Sequence, residues 1–291
     1  MLDLSYFQNN YSNTQTFTSA GTWQTWVKPR GAKFVNILCI GGGGGGCGAA
    51  TGSSARGFGG AGGGAGGIVR AQFQASILPD ILYVYTGAGG TGSLASLTST
   101  FNSASNGEKS YICLTPSTAS ISNIVVTSGN VSARGAISNT AAAGETVATT
   151  ANAVFLNLGT FTAIAGVSSG AGNSTGIAGG ITPSSTTTAG AGGSGTSTAG
   201  GLNGQGFIPS LAAFTTASAG VAGSNGYDGF MLTKPALQFI GGTGGQSGGT
   251  TGGNGGNGSY GCGGGGGSGG VTAGGNGGKG GDGIIIITTS F

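Results

Sequence analysis

The sequence predicts an all-β chain in which antiparallel sheet is joined to a packed glycine-rich region. Three observations predict it. Helical periodicity is almost missing, several short runs alternate or are wholly apolar, and 71 of the 291 residues are glycine, about a quarter against the roughly 7% usual in globular proteins. Apolar residues make up 37% of the chain and only six are proline, a composition that differs from the charged, proline-rich one of disordered segments.

Taken in order, residues 1–15 read as an arm: "MLDLSYFQNN" lacks the basic start and apolar stretch of a secretory signal. Strands dominate 16–115. "FVNILCI" (34–40) is apolar without alternation, the mark of a central strand covered on both sides, and it runs straight into six consecutive glycines that open a first tract at 41–67. "IVRAQFQA" (68–75) sets Val69, Ala71 and Phe73 against Arg70, Gln72 and Gln74, a half-buried strand. "ILYVYT" (81–86) follows, and Asn106-Gly107 reads as a hairpin turn between "STF" and "KSYICLT". Residues 116–240 form an insert rich in Ser, Thr, Ala and Gly, with short strands anchored by Ile124, Val125, Phe155, Phe161, Phe214 and Phe230. "IIIITTS" (284–290) is the second run without alternation. It is the first strand after the last glycine tract, as 34–40 is the last before the first, so the two are expected to be sheet neighbours. The glycine-rich chain between them then leaves and re-enters at one end.

Residues 241–283 carry a register of three. In "GGNGGKGGDG" (274–283) the side chains are Asn276, Lys279 and Asp282; "GGNGGNGSYG" (252–261) gives Asn254, Asn257 and Tyr260, and "GGTGGQ" gives Thr243 and Gln246. A polyproline-II-like helix has three residues per turn and no internal hydrogen bonds, so a Gly-Gly-X repeat puts every X on one edge and bare backbone on the other two. Threads of this kind, laid side by side, can pair their N–H and C=O groups with one another. The spacing predicts a packed bundle of such polyglycine-II threads over 241–283 where composition alone would suggest a flexible linker.

Charge and chemistry narrow the function. Nine Lys and Arg against six Asp and Glu leave +3 spread over the chain, too thin for the basic stripe that nucleic-acid binding needs. The longest apolar runs fall far short of the roughly 20 residues of a membrane helix. Matches to G-x-G-x-x-G open no helix, and Gly278-Lys279 is followed by glycine where a phosphate loop needs Ser or Thr, so no cofactor is expected. With no histidine there is no Ser-His-Asp arrangement. A polysaccharide-cleaving pair could come only from Asp3, Asp80, Glu108, Glu145, Asp228 and Asp282, and the chain is read as a non-enzyme. Cys39, Cys47, Cys113 and Cys262 show no metal-binding spacing. Cys47 and Cys262 each lie in a glycine tract, as a disulfide or as buried thiols. Trp23 and Trp26 lie beside strands and read as core, with a ligand platform as the alternative. Phe58, Phe207, Tyr227 and Tyr260 are surrounded by glycine, which offers little to bury a ring. They are the candidate receptor or partner contacts, with packing between subunits as the alternative; Arg56 beside Phe58 would add a polar contact.

"TFTSAGTWQTWVKPRGAKFVNILCIGGGGGGCGA" (16–49), "GGAGGGAGGIVRAQFQASILPDILYVYTGAGGTGS" (59–93) and "GGNGGKGGDGIIIITT" (274–289) together resemble the glycine-rich domains of bacteriophage tail fibres and other virion proteins. The order Gly-Thr-Trp, Lys-Pro, strand, polyglycine carries the likeness. The resemblance implies a jelly-roll-like antiparallel β-sandwich topped by polyglycine-II threads whose distal loops touch the host. It also implies a virion location after assembly in the host cytoplasm, and a homo-oligomer, a trimer on fibre architecture. Its partners would be other virion proteins and a host glycan or outer-membrane receptor. The architectural alternative is a minor capsid, head-fibre or decoration protein without a receptor.

Overall fold

The computed structural model describes residues 12–50, 59–97, 102–118, 120–128, 135, 153–164, 166, 223–232, 238–239, 241–245, 251–270 and 272–291. Two antiparallel sheets pack face to face. The first runs β1 (Ser12–Phe17), β11 (Ile284–Ser290), β3 (Phe34–Ile40), β4 (Ile68–Gln74), β8 (Gly159–Ile164). The second runs β2 (Trp23–Val27), β5 (Ile81–Tyr85), β6 (Tyr111–Cys113), β7 (Ile124–Thr127). A short helix, α1 (Ala153–Leu158), precedes β8, and β9 (Met231–Leu232) pairs with β10 (Gln238–Phe239).

The period of two decides which side chains meet. Val35, Ile37 and Cys39 of β3, Val69, Ala71 and Phe73 of β4, and Ile285 and Ile287 of β11 are buried against Trp26, Leu82, Val84 and Ile112 of the second sheet. Phe155 and Phe161 close one edge, their rings edge-on to Phe73 at 6.3 and 5.5 Å. As the sequence predicts, β3 and β11 are neighbours, with Ile40 opposite Ile284 and Phe34 opposite Ser290.

The expectation that both strands are covered on both sides is corrected in part. Ile40, Ile284 and Ile68 form a row across three strands on the outer face, where Phe239, Cys262 and Tyr260 cover them in a second, smaller core. Further from the glycine tracts nothing comparable covers that face among the described residues, and Asn36 is exposed beside a half-buried Thr288. The apolar runs are continuous because one half of each strand meets the bundle, although the other half alternates.

Lys28, in the Lys-Pro step, ties β2 to the turn after β4. Its Nζ donates to the carbonyls of Ala75 (3.0 Å) and Leu78 (2.6 Å) and lies 3.1 Å from Asp80 Oδ1, with the lysine side chain only 17% exposed. Asp80 is largely solvated and adds little. The two carbonyl bonds are charge-assisted, so Lys28→Met is expected to cost about 2 kcal/mol in denaturant unfolding, and Asp80→Asn well under half of that.

Candidate functional site: a polyglycine bundle and its polar face

Chain leaves the sheets at Ile40 and returns at Ile284, and the glycine-rich segments between build a bundle of parallel and antiparallel threads. Their hydrogen bonds fix the geometry. Along thread 41–50 the N–H groups of Gly41, Gly44 and Cys47 donate to Gly67, Gly64 and Ala61, while those of Gly43, Gly46 and Ala49 donate to Gly281, Gly278 and Gly275. Gly42 and Gly45 donate to Glu108 and Ser105. Every third residue addresses the same neighbour, which is the three-per-turn symmetry of a polyglycine-II helix.

The carbonyls of the same thread serve others: Gly43 and Gly46 accept from Gly90 and Ser93, Gly44 and Cys47 from Gly264 and Gly267, and Gly45 from Gly135. Among the described residues, thread 41–50 thus touches six neighbours: 59–67, 86–97, 102–110, 261–270, 273–283 and the segment at 135. That is hexagonal packing with a wholly enclosed centre, and residues 41–50 are all buried.

Glycine is required by this spacing. A Cβ on Gly46 would approach Gly265 O, one on Gly63 Gly44 O, and one on Gly263 Gly63 O, each closer than 3.0 Å, a distance real Cβ atoms essentially never show. At the sheet-side end Gly261 (φ 69°) reverses the chain between threads 251–260 and 261–270 in a turn that favours glycine. Thread 41–50 of ten residues spans about 30 Å at roughly 3.1 Å per residue.

Two threads went unread in the sequence. Residues 86–97 and 102–110 belong to the bundle: Glu108 and Ser105 donate to Ala88 and Thr91. Asn106-Gly107 is therefore not a hairpin turn between paired strands, because β5 and β6 are joined by this two-thread excursion. The spacing of Gly87, Gly89, Gly90 and Gly92 was the available signal. Thread 102–110 holds little glycine because it lies at the margin, where Asn102, Ser103, Asn106 and Glu108 are exposed.

The outer surface explains the X residues. A backbone N–H on the exposed edge has no thread beyond it, and an Asn or Asp of the adjacent thread supplies the acceptor. Asn225 Oδ1 accepts from Asn254 N–H, Asn254 Oδ1 from Asn276 N–H, and Asn276 Oδ1 from Ala95 N–H, at 2.8–2.9 Å. One turn along, Asp228 Oδ1 accepts from Asn257 N–H (2.7 Å) and Asn257 Oδ1 from Lys279 N–H (2.9 Å). Asp282 Oδ1 accepts from Gly89 N–H and pairs with Lys279 Nζ. Thr243 departs from the expected edge, being buried with its Oγ1 accepting from Tyr227 N–H; Gln246 lies outside the described residues.

The sequence-predicted contact residues are scattered. Arg56, Phe58 and Phe207 lie outside the described residues. Tyr227 is 54% exposed on thread 223–230. Tyr260 is half-buried at the sheet-side end, its ring edge-on to Phe239 at 6.4 Å. Gly226 pairs with Asn254 and Gly229 with Asn257, so Tyr227 and Tyr260 are offset by about five residues, about 15 Å along the threads. A Cys47–Cys262 disulfide is excluded on the same ground. Gly264 pairs with Gly44 and Gly267 with Cys47, which puts the two cysteines about 15 Å apart along parallel threads, beyond the 7 Å reach of a disulfide. Both are buried thiols: Cys47 Sγ donates to Asn102 O (3.3 Å) and Cys262 Sγ to Tyr260 O (3.6 Å).

Each carboxylate in the described residues is used in structure. Asp80 pairs with Lys28, Asp228 and Asp282 cap thread N–H groups, and Glu108 Oε2 accepts from Tyr85 Oη (2.9 Å) and Ala88 N–H (3.2 Å). Asp3 and Glu145 lie outside the described residues. No three His, Cys, Asp or Glu side chains among the described residues gather where they could hold a metal ion.

The thread ends at Ala50, Gly59, Leu97, Asn102, Gly245, Thr251 and Gly270 all point away from the sheets, as the parallel and antiparallel pairings require. Against known proteins, the family model described as a glycine-rich domain matches residues 18–290. No curated protein matches.

Proposed function

The chain belongs to the glycine-rich domain family, and from that premise we propose that it is a structural protein of a bacteriophage virion, a tail-fibre or spike component that presents its glycine-rich end to the host surface. The enclosed thread 41–50, bonded to six neighbours, is the observation that supports this reading most. A support cross-linked in every direction by main-chain hydrogen bonds holds its far end at a fixed distance and orientation from the sandwich. Such a support suits display: contacts made at that end lose little to ordering, because the scaffold is already ordered. In this reading the protein positions a surface and transforms nothing. Its partners are other virion proteins at the sandwich and a glycan or outer-membrane protein of the host at the far end, and it assembles as a homotrimer.

An antibody raised against the purified chain tests the reading. It is expected to label virions from the producing bacterial culture at the tips of fibres or spikes in negative-stain images. Labelling confined to the capsid would move the protein to the architectural class of head fibres and decoration proteins. Particles without label would reject the virion assignment.

A further inference from the structure

The outward face of the second sheet carries a row of aromatic rings. Trp23 and Trp26 are three apart on β2, so the period of two sends them to opposite faces: Trp26 is fully buried and Trp23 stays half-exposed. Trp23 is directly opposite Tyr85, and Tyr85 directly opposite Tyr111, in the registers of β2, β5 and β6. The ring centroids are 5.2 and 6.3 Å apart and successive planes meet at 48° and 50°, far from the parallel stacking in which one ring covers the next. The row floors a trough of about 600 Å³ where the sheet meets the bundle, its walls formed by Glu108, Lys109, Ser117 and Thr118.

Glu108 is held from behind. Glu108 N–H donates to Ala88 O and Glu108 O accepts from Gly42 N–H, locking its backbone between two threads. Its Oε2 accepts from Tyr85 Oη, and burial, with the hydrogen bond and charge of Glu108 behind it, pushes the Tyr85 phenol up to about 12. The phenol therefore keeps its proton and holds the carboxylate in place at neutral pH.

We propose that this trough binds a short pyranose oligosaccharide. A sugar ring has a C–H face that packs on an aromatic ring and a rim of hydroxyls that each donate and accept. The trough offers three aromatic rings in a line, a carboxylate that only accepts, an ammonium that only donates, and two hydroxyls that do both. A floor of Trp and Tyr with a fixed carboxylate and a few further polar groups at its edge is the make-up of a small-ligand site, and the volume lies within the roughly 300–1,000 Å³ of such sites. Other occupants fit less well. An apolar segment of a second copy would strip water from Glu108 and Lys109 without returning their hydrogen bonds, and a nucleic-acid strand would meet a single lysine beside a carboxylate. The site is on the sandwich and does not depend on what the far end of the bundle contacts.

The two tryptophans make the test direct, because Trp26 is enclosed and Trp23 reports on the trough. Full-length protein is titrated with cellotriose, chitotriose and maltotriose to about 10 mM while tryptophan emission is followed. At least one is expected to give a saturable change with Kd of about 0.1–1 mM, equivalent to roughly 4–5.5 kcal/mol. Tyr111→Ala and Lys109→Ala, checked for folding by circular dichroism, weaken that binding ten-fold or more, whereas Thr162→Ala, an exposed position on the other sheet, leaves it unchanged. Trp23→Ala, followed by calorimetry since it removes the reporter, loses it. The proposal is overturned if none of the three sugars gives a saturable change or if Tyr111→Ala and Lys109→Ala bind as well as the parent. It is also overturned if Trp23 emission shifts with protein concentration alone, which would make a second copy the occupant.

Discussion

Gly277→Val is expected to lower the midpoint of thermal unfolding by roughly 5–10 °C, while Lys279→Val, two residues along the same thread, leaves it nearly unchanged. Gly277 N–H donates to Ser93 O at 2.9 Å, and a Cβ there would collide with Gly46 O and the Cys47 carbonyl carbon. Both obstacles are main chain of the enclosed thread, so no side-chain rotation relieves them. Thread 273–283 would have to move off thread 41–50, stretching the bonds from Gly43, Gly46 and Ala49 to Gly281, Gly278 and Gly275. Overpacking of this kind costs about 1–3 kcal/mol, and each buried hydrogen bond lost adds about 1. Lys279, in contrast, has a side chain 49% exposed and contributes one solvated ion pair with Asp282, worth little. Its N–H bond to Asn257 Oδ1 survives the substitution. Equal midpoints for the two variants would mean that the threads are not packed in solution, and the display function would lose its scaffold.

What could be read from the sequence follows from where spacing leaves a trace. The register of three in 252–261 and 274–283 is visible because both threads lie on the surface, where every third position carries an exposed side chain. On thread 41–50 the neighbours close every edge and the trace shrinks to a run of glycines, so its central place could not be foreseen. Thread 102–110 is hidden for the opposite reason: at the margin, Asn102, Ser105 and Glu108 fit without clash, and the segment looks like an ordinary polar loop. Neighbouring β3 and β11 were legible from their apolar runs, although the partial covering of their outer face was not, because it comes from Phe239 and Tyr260, far away in sequence. The trough was missed for a similar reason. The alternation of β2 separates Trp23 from Trp26, but only the pairing of β2 with β5 and β6 brings Tyr85 and Tyr111 beside it.

Ser110→Ala is expected to cost about 2–3 kcal/mol, a large effect for the loss of one oxygen. Ser110 is fully buried where sheet gives way to bundle. Its hydroxyl donates to Ile40 O (2.6 Å), at the last residue of β3, and accepts from Gly87 N–H (3.0 Å), just past the end of β5. The hydroxyl thus joins the end of one strand to the residue past the end of another, where sheet gives way to thread. Gly283, which donates to Gly87 O on the same level, packs so closely that a Cβ would meet Ser110 Oγ. Alanine therefore leaves a buried donor without an acceptor and removes one bond from a buried carbonyl, the expensive direction of the hydrogen-bond balance. Ser128→Ala removes only the acceptor of Ser110 N–H (3.1 Å) and should cost about half as much. Ser110→Cys, which keeps a weak donor and acceptor of larger size, is expected to fall between parent and alanine. Chemical-denaturation midpoints give the ranking, and amide exchange at Gly87 gives the cause: its protection should drop in Ser110→Ala and hold in Ser128→Ala. An alanine variant as stable as the parent would show that the two halves of the molecule join through packing alone.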